Sequence, residues 1–224
     1  MKRLLIVGML SVIFFGASQT AQAQLSDEEY NYVTMDLRGI LNLTMTTNPQ
    51  VDFSFKTIQE YQQGITRFNA TQLEVDATLA WDLFVYANTN TWTQVEAYST
   101  NGNAALPAEV LELRSSIDNS TYSAEGFTAF TSLKGLLNSG VTGGTPTATT
   151  QFLAGAVGTT GTNDSYAPGT AAANPTTNSF RLDMRMVPGI PATFPNSTVA
   201  MTGPDYAQAG YYYLEVVYSL VEDL

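Results

Sequence analysis

Residues 72–87 read Gln-Leu-Glu-Val-Asp-Ala-Thr-Leu-Ala-Trp-Asp-Leu-Phe-Val-Tyr-Ala. Eight successive odd positions are apolar: Leu73, Val75, Ala77, Leu79, Trp81, Leu83, Val85 and Ala87. The even positions include Gln72, Glu74, Asp76, Thr78 and Asp82. A period of two is the pattern of a β-strand with one face buried and the other near water. A helix would turn the three carboxylates through its apolar side. At about 3.3 Å per residue the run would extend roughly 50 Å, longer than an ordinary strand. We therefore expect a bend or bulge near Thr78 to Ala80, with two sheets sharing the segment.

The same alternation recurs along the chain. It appears at Val33-Met35-Leu37, Leu41-Leu43-Met45, Val51-Phe53-Phe55 and Phe180-Leu182-Met184-Met186. A short strand is expected over Val110 to Leu113, and one closing strand over Tyr211 to Val221. Ile58 to Gly64 reads as a connecting loop, and Asn88 to Thr93 and Asn101-Gly102-Asn103 as turns. Phe127, Phe130, Leu133 and Leu137 are spaced three or four apart, which predicts one short helical segment within Ser123 to Leu137. Val141 to Pro175, rich in Gly and Thr, reads as a long surface loop with a short strand near Gln151 to Ala156. The expected fold is all-β: an antiparallel β-sandwich, immunoglobulin-like or jelly-roll in topology.

The N-terminus predicts a compartment. Lys2 and Arg3 precede an apolar run from Leu4 to Phe15, and Ala21-Gln22-Ala23 is a small-x-small cleavage signature. Residues 1–23 are thus expected to be a signal peptide and residues 24–224 a single sandwich domain. The apolar run is too short for a stable bilayer anchor, and the remainder holds no second one. Export to the periplasm, the outer cell surface or the extracellular space follows. Removing a leader that carries two basic residues and no acid takes the net charge from −11 to −13. Nucleic acid and anionic lipid find few Lys or Arg on such a surface, so neither is an expected partner.

The chain contains no Cys and no His. Ser-His-Asp and Cys-His catalytic arrangements are therefore impossible, and zinc and copper lose their preferred ligands. No phosphate-binding Gly-rich motif follows a strand. Glu74, Asp76 and Asp82 form the one carboxylate group at glycosidase-like spacing, but a solvated strand face accounts for them. The chain is expected to be non-enzymatic and to need no cofactor. Calcium is the candidate ion, with Asp118-Asn119 and Asn163-Asp164 as oxygen donors in loops, although turn chemistry also explains those residues. Arg181, Asp183 and Arg185 form an alternating-charge strand face, expected to pair with a neighbouring acidic strand. Tyr86, Trp92, Tyr98, Tyr211 and Tyr213 are the candidate ligand-binding residues. Exposed aromatics stack on sugar rings or anchor protein partners.

Two segments carry a resemblance. Trp81 to Ala87 is similar to the central strand of exported bacterial surface β-sandwich domains, and Pro204 to Tyr218 resembles their closing strand. Fimbrial-subunit-like, WxL-like and spore-coat-like domains share this pattern. The chain departs from them in having no Cys pair and no second Trp-x-Leu motif. The resemblance implies a structural or adhesive subunit of a fibre, coat or outer-membrane complex, whose partners are other surface proteins or copies of itself. A carbohydrate-binding module is the alternative, with a glycan as ligand. The closing strand lacks Lys and Pro, the usual guards of a free edge. Either it lies inside a sheet or a partner uses its edge, and Ser26 to Leu37 of a neighbouring subunit is a candidate donor strand. Mass spectrometry of protein recovered from the producing cell is expected to find Gln24 as the mature N-terminus. An intact Met1 on cytoplasmic protein would overturn the export reading.

Overall fold

The computed structural model describes residues 34–116, 125–136, 141–142, 145–146, 151–155, 166–189 and 207–222. Contacts divide the chain into residues 1–37 and 38–224. The described part of the first unit, residues 34–37, has no regular secondary structure, and none follows before Leu41. The alternation at Met35 and Leu37 therefore does not mark a strand, and Val33 lies outside the described residues.

In the second unit the strands are β1 (Leu41–Met45), β2 (Ile65–Ala77), β3 (Trp81–Ala87), β4 (Thr93–Ala97), β5 (Leu111–Ser115) and β6 (Thr131–Ser132). They continue with β7 (Val141–Thr142), β8 (Thr145–Pro146), β9 (Phe152–Ala154), β10 (Ser179–Met186), β11 (Gly210–Tyr213) and β12 (Val216–Glu222). A five-stranded sheet runs β1-β2-β10-β5-β6, and a three-stranded sheet runs β12-β3-β9. β11 pairs with β4, and β7 with β8, as separate ribbons. All these pairings are antiparallel. The five- and three-stranded sheets pack together as in a β-sandwich.

The opening run crosses between the sheets as its length requires. β2 ends at Ala77 in the five-stranded sheet, and β3 begins at Trp81 in the other. The corner is fastened to Ile40, whose N–H donates to Thr78 Oγ1 at 2.8 Å while the Thr78 N–H donates to the Ile40 carbonyl at 3.0 Å. Three residues separate the strands, so the odd positions stay inside on both sides of the bend. Leu73, Val75, Trp81, Leu83 and Val85 are all buried. Against them pack Leu111 and Leu113 of β5, Phe180, Leu182, Met184 and Met186 of β10, and Phe127 and Leu133. Trp81 is fully buried, and its Nε1–H donates to the Ala167 carbonyl at 3.2 Å. Its ring meets Tyr166 at 5.1 Å and Phe180 edge-on at 6.3 Å.

The even positions of β3 do not face water. Asp82 and Phe84 are buried and Tyr86 is half-buried. Phe84 packs on Phe152 of β9 and stacks on Tyr86. Gly155, at φ +78°, comes so close that a Cβ there would meet Asp82 Oδ1. The cover comes from residues 151–155, all buried, so the expected long surface loop contains part of the core. Residues 166–178 also return to the corner, with Tyr166 bridging to Trp81 and Gly169 to Ala77.

Other expectations are corrected. Ile58 to Gln63 is a short helix, α1, and not a loop. Its capping box is complete: Thr57 Oγ1 accepts from the Glu60 N–H, and Glu60 accepts from the Lys56 and Thr57 N–H groups. These bonds hold the Glu60 carboxyl below its ordinary pKa, the Lys56 and Thr57 amides contributing most. Tyr61 stacks on Phe55 at 4.7 Å. The α-helix expected in Ser123 to Leu137 is absent from the described part, where a 3₁₀ turn, Glu125–Phe127, precedes β6 and Leu136 begins another short 3₁₀ stretch. Val51, Phe53 and Phe55 alternate in burial as expected but join no strand. The closing strand is two strands, β11 and β12, which leave Tyr213 for different sheets.

Two of the three charged residues of β10, Asp183 and Arg185, pair across to β5, a strand that carries both Arg114 and Glu112 and so is not the acidic strand expected. Arg185 Nε donates to Glu112 at 2.6 Å, and Arg114 Nε donates to Asp183 at 3.0 Å. The Asp183 side chain is fully buried beside a bulge in which Phe68, Asn69 and Ala70 all face it. Asn69 sits at φ 49°, and its N–H donates to the other oxygen of Asp183. The Arg114 and Arg185 guanidinium groups also lie over the Phe130 ring, at 4.3 and 4.1 Å from its centroid.

Trp81→Ala removes the largest side chain of the core at the point where the two sheets share a segment. A loss of about 3–5 kcal/mol is expected, from transfer energy and the cavity left behind. Against a total of roughly 5–15 kcal/mol this lowers the urea midpoint sharply. An unchanged midpoint would show that the phase of β3 is misassigned.

Candidate functional site

Two exposed surfaces stand out in the second unit, and the first is the β4–β11 ribbon. In an antiparallel ladder, residues directly opposite each other project to the same side. Tyr211 lies opposite Glu96, and Tyr213 opposite Thr93. Beyond the last pair, Gly210 with Ala97, the Tyr98 N–H donates to the Ala209 carbonyl at 2.8 Å, which extends the ladder. Tyr98, Tyr211 and Tyr213 therefore share one face with Thr93 and Glu96. All three tyrosines are exposed, at 65%, 52% and 57%. Val95 is the extra residue of a register shift and is exposed beside them.

The opposite face holds the ribbon down. Tyr212 and Gln94 are half-buried there. Gln94 Nε2 donates to the Tyr212 hydroxyl at 3.0 Å and to Gln208 Oε1 at 3.1 Å, and the Tyr212 hydroxyl donates to the Gln208 carbonyl at 2.7 Å. Burial pushes the Tyr212 phenol above its usual pKa. The Asn101-Gly102-Asn103 turn closes on the same residue: the Gln208 N–H donates to the Asn103 carbonyl at 3.0 Å. Gly102, at φ +110°, lies against the Gln208 backbone, where a Cβ would collide. The tyrosine face thus stands on a locked base.

Of the five aromatic candidates, the fold gathers three. Trp92 is drawn to the core, where it packs half-buried, and its ring N–H has no hydrogen-bond acceptor among the described residues. Tyr86 belongs to the outer face of β3, stacked on Phe84. β4 takes in Thr93, the last residue of the expected turn, and Thr93 to Ala97 carries only Val95 and Ala97 in alternation with Gln94 and Glu96. That weak period was the available signal for Val95. Of the carboxylates, Glu74 and Asp76 lie on β2 and Asp82 on β3, in different sheets. Asp76 accepts from the Ala171 N–H at 3.0 Å, a structural use. The calcium candidates Asp118, Asn119, Asn163 and Asp164 lie outside the described residues. Among the described residues, no group of three or more acidic side chains is placed to hold a metal ion.

The second surface is an open groove of about 340 Å³ where β1 and β12 lie side by side in different sheets. Leu43, Met45, Leu73, Val216 and Tyr218 line it. The Tyr218 hydroxyl lies 3.3 Å from Thr71 Oγ1. Desolvation pushes its phenol up to about 12, and the Thr71 bond only partly offsets this.

No protein-family model matches this chain, and no curated protein matches it. Among the described residues no helix is long and apolar enough to cross a membrane.

A tyrosine whose folded pKa exceeds its unfolded value of about 10 keeps its proton longer in the folded state. Stability from this group is intact below pH 10 and declines as pH rises from about 10 to about 12, where only the unfolded chain ionises. Urea midpoints at pH 9 and pH 11 are expected to show this decline, and Tyr218→Phe to reduce it. An equal decline in Tyr218→Phe would assign it to other tyrosines.

Proposed function

We propose that this chain is a non-catalytic structural or interaction subunit of the bacterial cell surface, in a fibre, coat or outer-membrane complex. The tyrosine face of the β4–β11 ribbon is its contact surface. One observation carries this reading: Tyr98, Tyr211 and Tyr213 are each more than half exposed on one face of a ribbon whose other face is pinned. Tyrosine supplies large contact area at low entropic cost and is enriched among residues that dominate binding energy. The lack of His and Cys supports a role without catalysis, and the leader-like N-terminus supports export.

The same face supports a second reading, a carbohydrate-binding module. Aromatic rings set among Thr93 and Glu96 offer stacking together with hydrogen bonds for sugar hydroxyls.

A glycan array and binding to purified cell envelope, with the full chain and with Tyr211→Ser plus Tyr213→Ser, test both. The double variant is expected to stay within about 0.5 kcal/mol per site of the parent in stability, because both positions are exposed. Its envelope binding is expected to fall about 30-fold or more, as when a residue worth 2 kcal/mol is lost. Binding to a defined glycan selects the second reading. Undiminished envelope binding by the variant removes the tyrosine face from either.

A further inference from the structure

We propose that two copies of this chain join edge to edge through β12, in an antiparallel pair related by a two-fold axis at Tyr218. This inference rests on the edge of β12 and is independent of the tyrosine face.

β12 is an outer strand. Its ladder partner is β3, and among the described residues no strand or loop pairs with its other side. It is also the longest outer strand of the two sheets. β1 has five residues, β9 three with a register shift, and β6 two. The stretch Val216-Val-Tyr-Ser-Leu-Val221 contains no Lys, Arg, Pro or Gly and no bulge. Monomeric proteins guard such edges with charge, proline or irregularity, and β12 has none of these along six residues.

The hydrogen-bonding phase follows from one contact. The Asn88 N–H donates to the Glu215 carbonyl at 2.9 Å, so Glu215 turns its main-chain groups toward β3. In an antiparallel ladder this direction alternates. Val217, Ser219 and Val221 therefore bond inward, and Val216, Tyr218 and Leu220 offer their N–H and C=O groups to the free side.

A second copy is the partner this strand fits, because its apolar stretch is self-complementary in one antiparallel register. The chain carries a net −11, so an arbitrary second copy would be repelled. Pairing β12 with itself about Tyr218 avoids that locally. Tyr218 meets Tyr218, Val216 meets Leu220, and Val217 meets Ser219. Glu215 then lies opposite Val221, and Glu222 opposite Leu214, so no carboxylate faces another. The three residues with free main-chain groups are the three that this register joins. Glu215 is further held by Asn88, whose Nδ2 donates to it at 2.7 Å. The inward-facing residues of the incoming strand fall on the side of the groove, next to Leu43 and Met45, where half-exposed apolar surface is available. Joining two copies makes one six-stranded sheet from two three-stranded ones.

Because the chain has no Cys, introduced thiols report the register without interference. Full-length Val217→Cys and Ser219→Cys proteins, oxidised as a mixture, are expected to form a disulfide-linked dimer, while either alone is not. Light scattering of the parent chain over roughly 1 to 100 µM is expected to show a concentration-dependent dimer. Val217→Lys with Ser219→Lys sets lysine against lysine across the axis and is expected to weaken the dimer at least tenfold. Val217→Lys with Ser219→Glu sets opposite charges together and restores it. Circular dichroism confirms that each variant is folded, and the cysteine pair supplies the answer if the lysine variant is not. A parent that stays monomeric throughout, or a mixture that does not cross-link, overturns the proposal.

Discussion

One chain segment feeds both sheets of this protein, and the buried face it carries through the corner holds them together. β2 is paired on both sides, by β1 and β10, and β3 likewise, by β12 and β9. The two strands at the heart of the two layers are therefore covalently continuous across three residues. Trp81 stands directly after the bend, and its main chain pairs with Tyr166 while its ring packs on Tyr166 and Phe180. Burial of apolar area drives the layers together. The continuous phase from Leu73 to Ala87 ensures that both layers present their apolar side to the same space.

Much of this was legible in a period of two. Alternation located β1, β10 and the bend, because each of those strands has one buried and one wetter face. It failed where burial is set by distant residues. The even side of β3 is covered by residues 151–155, nearly seventy positions away, and nothing near Phe84 announces that cover. The helix α1 was signalled locally by Thr57-x-x-Glu60, but its six residues are too few for an apolar period to appear. The division between β11 and β12 falls at Leu214-Glu215, a dipeptide with no turn chemistry, so the sequence gives one strand where the fold makes two. At the candidate site, aromatic identity alone separated nothing. Register placed Tyr98, Tyr211 and Tyr213 on one face and sent Trp92 to the core.

The bulge in β2 shows how a costly group becomes tolerable. A buried carboxylate needs partners for both oxygens. Asp183 has Arg114 on one and the Asn69 amide on the other, and Asn tolerates the left-handed conformation that aims that amide. Three residues opposite one turn the strand locally, and they leave Phe68 projecting outward at 66% exposure. Phe130, set between Arg114 and Arg185, ties the segment leading into β6 to the same charged face.

The strand order also sets a timetable for folding. β1 and β2 are consecutive strands, and their pairing closes over the segment that contains α1. β3, which follows at once, has no such partner: β9 begins at Phe152 and β12 at Val216. Both loops are long, and closing them costs chain entropy before any contact is gained. An emerging chain therefore holds Trp81 to Ala87 as an apolar, half-built template until residues 216–222 arrive. Until then the strand's apolar residues and unpaired main chain are open to any other chain that can add a strand to it.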